Sequence, residues 1–351
     1  MTMSRALPYA AAAIVLAICI VGFSRPTHAA ASAPLTGDLS VREAYWASLI
    51  KKEGPAQAYK DFGAAVAILA PPQQHENAHV FGGALYSAIG LPGLSTCDSN
   101  YSFGCFHEFL GRAIASLGLS VVNQLNQDCV TALGPNSLSC QHGIGHGIEA
   151  ALGYDFPALQ KSLSLCESLP HNDPIGGCYG GALMEYNMQT MLGEQGKPRP
   201  LTSAGVQYPC DSIDSAFQNA CYFWQPQWWA QTLRRQGTTD LDEIYRTIGT
   251  YCAAAPAADQ RSCYEGTGNN LPADANFDGD RARQLCIDVS SDPQDQLYCR
   301  ALAADSLFVG GAGKKGDALA VCEGLTGSAY SFCASYASNS SNIAKELPSV
   351  K

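Results

Sequence analysis

Five histidines recur at a fixed place in this 351-residue chain. His107 and His142 each stand two residues after a cysteine, in Cys105-Phe106-His107 and Cys140-Gln141-His142. His75 takes the matching place in a copy without cysteine, His75-Glu76-Asn77-Ala78-His79. His79 and His146 follow four residues later, one helical turn along the same face. Gly111 holds that second place in the middle copy. Neutral imidazole is the commonest metal ligand, and an i, i+4 pair on one helix can hold an ion whose shell is completed from neighbouring helices. Such a set suits Cu, Fe or Zn, and equally Ni, while cysteine drops out as a ligand if every couple is oxidised. Glu108, Glu149 and Glu185 are expected at the same helix starts, as oxygen ligands, as orienting groups, or as a general base. The competing reading of each histidine alone is a helix-start imidazole making capping or core hydrogen bonds, copied by duplication. His171, in a Pro/Gly loop, is set aside.

Two weaker motifs accompany the histidines. Asp274, Asn276 and Asp278, with Gly279 after them, match the first half of a calcium loop. Leu285 at the twelfth place cannot coordinate, which excludes a complete EF-hand and leaves a partial calcium site or an acidic turn capping the next helix. Tyr222-Phe223-Trp224 with Trp228-Trp229 is an aromatic cluster fit for a core, or for stacking on a ring or peptide if it lines a groove. No Gly-rich phosphate loop, nucleophile elbow or Cys-x-x-Cys-His haem attachment occurs.

The cysteines specify what must position the histidines. Arg5, the apolar run Ala6 to Phe23, and the small residues Ala29-Ala30-Ala31 predict a cleaved secretory signal over residues 1–30, which directs the chain to the periplasm or outside the cell. Cys19 lies inside that run, so fourteen of the 15 cysteines remain, an even number bound for an oxidising compartment. They fall into consecutive couples, 97/105, 129/140, 166/178, 210/221, 252/263, 286/299 and 322/333. A separation near eleven suits one cysteine in the last turn of a helix and its partner in the first turn of the next. Asp155 ahead of Pro157, and Asp240 with Glu243, supply helix-start signals at two such units; Asp317 is expected to cap the helix ending at Cys322, and Cys333 to open the last helix. The second cysteine of each couple returns every 34 to 43 residues. That period, with two helices per unit, predicts an all-α array of about eight stapled hairpins over residues 31–351, an open solenoid or a closed ring. Equivalent positions in stacked hairpins face one side, so the imidazoles should converge. Glycines 143, 145, 147, 180 and 181 each cost roughly 1 kcal/mol in a helix and imply close approach of a neighbouring backbone or a ligand.

In period and cysteine placement the chain resembles secreted cysteine-rich Sel1-like and other tetratricopeptide-type repeat proteins over about residues 70–340. That resemblance implies a binding scaffold and no reaction. A net charge of -10, with no basic cluster, excludes a phosphate-backbone partner. No segment after the signal is apolar enough to span a bilayer. The expectation is therefore an exported His-ligated metalloenzyme, hydrolase or oxidoreductase, acting on a small molecule or peptide. The alternative is a non-catalytic scaffold that binds a peptide, a protein or the metal itself.

Overall fold

A computed structural model describes residues 33–169, 173, 175–192, 199, 204–310 and 315–337. The expected signal, His171 and Cys19 lie outside them. The described residues form α-helices and short 3-10 turns, without strands. In chain order the helices are α1 (Leu39–Glu53), α2 (Pro55–Val66), α3 (Pro71–Ile89), α4 (Gly104–Leu117), α5 (Val122–Leu133), α6 (Leu138–Leu152), α7 (Phe156–Glu167) and α8 (Cys178–Met188). They continue with α9 (Ser215–Arg235), α10 (Leu241–Ala253), α11 (Gln260–Asp274), α12 (Gly279–Asp288), α13 (Pro293–Gly310), α14 (Lys315–Ala320) and α15 (Gly327–Tyr336).

Local chemistry sets the boundaries. Asp155 accepts a hydrogen bond from the Ala158 N–H ahead of α7, and Asp240 and Asp278 do the same for the first turns of α10 and α12. Gly153 closes α6 with φ of 108°, a conformation costly for any residue with a Cβ.

The helices make two layers. An inner row, α1, α3, α4, α6, α8, α9, α11, α13 and α15, stacks each helix on the next, while α2, α5, α7, α10, α12 and α14 form the outer row. Seven disulfides join outer elements to inner helices, all between sequential couples, with Cα atoms 5.4 to 5.7 Å apart. The expected hairpin geometry is modified in places. Cys97 follows a 3-10 turn (Leu91–Thr96) and Cys210 sits in a turn, so these two units lack an outer α-helix. Cys299 and Cys333 lie in the second turns of α13 and α15, because those helices begin earlier, at Pro293 and Gly327. Asp317 lies within the first turn of α14, whose start precedes it, and Cys322 follows that helix in a turn.

Backbone contact replaces side-chain packing where the histidine helices meet. A Cβ on Gly145 would strike the carbonyl oxygen of Cys178, and one on Gly181 would strike that of His142, so α6 and α8 lie backbone to backbone. The row also curls on itself: α13 packs against the 3-10 segment Asn100–Phe103 that leads into α4. Among the described residues no single helix is long and apolar enough to cross a membrane; one bent pair, 100–117 with 119–133, passes by length and composition alone.

Candidate metal centre

Stacking α3, α4 and α6 brings the five imidazoles into one continuous cluster. Ring centroids lie 4.7 Å apart for His75 and His79, 5.2 Å for His79 and His107, 4.5 Å for His107 and His146, and 4.8 Å for His142 and His146. Two sets of three ligand nitrogens, each within 4.8 Å of one another, emerge: His75, His79, His107 and His107, His142, His146. His107 belongs to both. His79, His107, His142 and His146 are buried, His146 wholly so, and His75 is half-buried.

The outward nitrogens explain which way the others point. His75 Nδ1 donates to the Tyr101 carbonyl at 2.8 Å, which leaves Nε2 as a lone pair. That Nε2 stands 3.2 Å from His79 Nε2, which in turn is 3.4 Å from His107 Nδ1. A proton on His79 Nε2 can be directed at one neighbour; a cation among the three satisfies all of them. His79 Nδ1 faces Glu108 Oε2 at 3.7 Å, too long for a hydrogen bond and near enough to feel its charge. His146 Nδ1 donates to Glu185 Oε2 at 2.9 Å, and the His142 ring is held by the backbone at Gly176 and Gly177. His79 Nδ1, His107 Nε2 and His146 Nε2 are buried without a hydrogen-bond partner among the described residues. Each such group costs about 1–3 kcal/mol unless something occupies it.

Electrostatics keeps the rings of His75, His107 and His142 in ligand form. Burial, and after it the neighbouring His79, pushes His75 down to about 3. Burial followed by the adjacent His146 holds His107 and His142 well below the ordinary imidazole value. Neutral rings carry a lone pair for a metal at any physiological pH.

The three glutamates part company. Glu185 sits beneath the cluster: burial would raise its carboxyl, but hydrogen bonds from His146 and Thr190 outweigh that and lower it. It also accepts from the Tyr154 hydroxyl at 2.9 Å and the Met191 N–H at 3.2 Å. Glu108 is lowered in the same way, with burial opposed by His79, the Leu192 N–H and Arg112. Glu149 does not join them. It points outward to α7, where it accepts from Ser162, and burial raises it well above the usual carboxyl range. Nor do Glu149 and Glu185 stand at helix starts as expected; both occupy the later halves of α6 and α8. Thr190 and Leu192, which tie the two useful carboxylates to one loop, carry no sequence signal. Tyr101 escapes detection too, since it acts through its carbonyl.

His75, His107 and His142 open into a chamber of about 380 Å³ bounded by the curl of the inner row. Trp224 lines it, 5.4 Å from the His142 ring, while Tyr222 and Phe223 of the same cluster are core. The calcium half-motif is an acidic turn. Asp274 binds Arg234 and the Tyr245 hydroxyl, and Asp278 caps α12, so both carboxylates already have partners. No family model, curated protein or solved structure matches the chain.

Proposed function

We propose that the chain is an exported metalloenzyme, hydrolytic or oxidative, in which His75, His79, His107, His142 and His146 hold one or two ions of Cu, Fe or Zn. One observation carries the reading: ring nitrogens from three helices converge, while the opposite nitrogens of His75, His79 and His146 face a carbonyl or a carboxylate, the arrangement that orients metal-ligating imidazoles. A bound ion would supply Lewis acidity, or one-electron chemistry in the case of Cu or Fe. Glu185, accepting the hydrogen bond of His146 Nδ1, fixes which nitrogen faces inward. Glu108 does so more loosely for His79. Trp224 and the methionines Met184 and Met188 line the chamber beside the imidazoles that open into it. The seven disulfides staple each outer element to the inner helix of its own unit, and the chamber beside the histidines speaks for a substrate over a scaffold. Those disulfides fit an oxidising compartment, in keeping with export to the periplasm or beyond. The resemblance to Sel1-like repeats rests on period and cysteine placement and concerns architecture alone.

Elemental analysis of protein purified from its native compartment, beside a His142→Ala/His146→Ala variant, tests the proposal. Transition metal at one or two equivalents is expected in the parent, with a clear loss in the variant. Unchanged metal content in the variant removes the site.

A further inference from the structure

The inner helices share a register. Counted from the cysteine of each unit, the place six residues on is His146 in α6, Met184 in α8, Gln227 in α9, Asn269 in α11 and Asp305 in α13. The last four of these line the chamber. Asp305 therefore occupies, on the distant side of the curl, the place that carries an imidazole in α6. It is 1 % exposed, and its Oδ1 has no hydrogen-bond partner among the described residues. It is absent from both ligand sets, so no ion shared with the histidines explains it.

The other charges of the chamber cancel. Arg234 pairs with Asp274, which also accepts from Tyr245. Asp305 is left as the one uncompensated carboxyl among the described lining residues, in a chamber whose wall also carries Phe103, Trp224 and Phe277. Aromatic faces attract cations, and a buried carboxylate gains most from a partner of opposite charge. A chamber of about 380 Å³ is sized for a small molecule.

We infer that Asp305 is a ligand-recognition residue that receives the ammonium group of a small, largely apolar amine, whose other end reaches toward the histidine cluster. The inference uses the chamber of the metalloenzyme reading, but amine recognition itself needs no ion. Burial supports it by pushing the Asp305 carboxyl up to about 7, where a cation recovers the ionised form.

Isothermal titration of the full chain after chelator treatment, with phenethylamine, 2-phenylethanol and 3-phenylpropanoate as probes, provides the test. The amine should bind at least about tenfold more tightly than either analogue, and Asp305→Asn should reduce that preference to about twofold or less. Equal affinities, preference for the alcohol or carboxylate, a preference retained in Asp305→Asn, or no binding of the amine each overturn the inference. Should Asp305→Asn fail to fold by circular dichroism, the ranking of the three probes on the parent protein decides alone. Amine preference alongside unchanged metal in the His142→Ala/His146→Ala variant would sink the metal reading and leave this one standing. Metal loss in that variant without amine preference would do the reverse.

Discussion

At the scale of single residues, two buried glutamates of similar appearance have opposite roles. Glu185 is ionised and holds a ring nitrogen, so Glu185→Gln should weaken metal binding by about 10- to 100-fold, read by competition with a chromogenic chelator. Glu149 lies in the layer interface with Ser162 as its donor, and burial pushes its carboxyl well above the usual range. Its folded value lies above the unfolded value of about 4.3, so its contribution to stability is complete below that pH and is lost as the pH rises through the folded value. Glu149→Gln cannot ionise and should flatten this dependence while leaving metal content unchanged. Denaturant midpoints at about pH 5 and about pH 8 for parent and variant measure it. A loss of metal in Glu149→Gln would return that residue to the site. Sequence spacing alone could not separate the pair, because both sit on histidine-bearing or adjacent helices and only the rotation of each helix decides what it meets.

Helix against helix, the deciding contact is between backbones. Gly145 and Gly181 let α6 and α8 approach until each meets the other's carbonyl oxygens, and that approach sets Glu185 against His146. Gly145→Ala should therefore cost about 1–3 kcal/mol or more, even though alanine is the better helix former, and should lower metal content as α8 moves away. Gly316, with open space around its Cβ direction among the described residues, serves as the control: Gly316→Ala should be neutral or stabilising by up to about 1 kcal/mol. Thermal unfolding and metal analysis of both variants check the contrast. The glycines were legible as signs of close approach. Which helix approaches was not, because a missing side chain marks a gap without naming its occupant.

Taken whole, the molecule is a stapled stack whose units touch mainly their neighbours, so damage should remain local. Cys166→Ser/Cys178→Ser opens a twelve-residue separation at the unit that carries Glu185 and should cost about 2–4 kcal/mol with loss of metal. Cys322→Ser/Cys333→Ser should loosen the last unit by a similar amount and leave metal content intact. Hydrogen exchange resolved along the chain, with metal analysis, distinguishes the two; metal loss from the second variant would contradict the neighbour-by-neighbour scheme.

The all-α class, the pairing of each cysteine with its successor and the shared register of the histidines followed from spacing, because helical period and disulfide reach are short-range properties of the chain. Tertiary structure decided what lies at the far ends of those registers. The outward turn of Glu149, the loop that joins Thr190 to Glu185 and Leu192 to Glu108, and the curl that sets Asp305 in the same chamber as His75 all depend on how helices rotate and close on one another. Local periodicity fixes the face a residue occupies; the packing of distant elements alone fixes what that face meets.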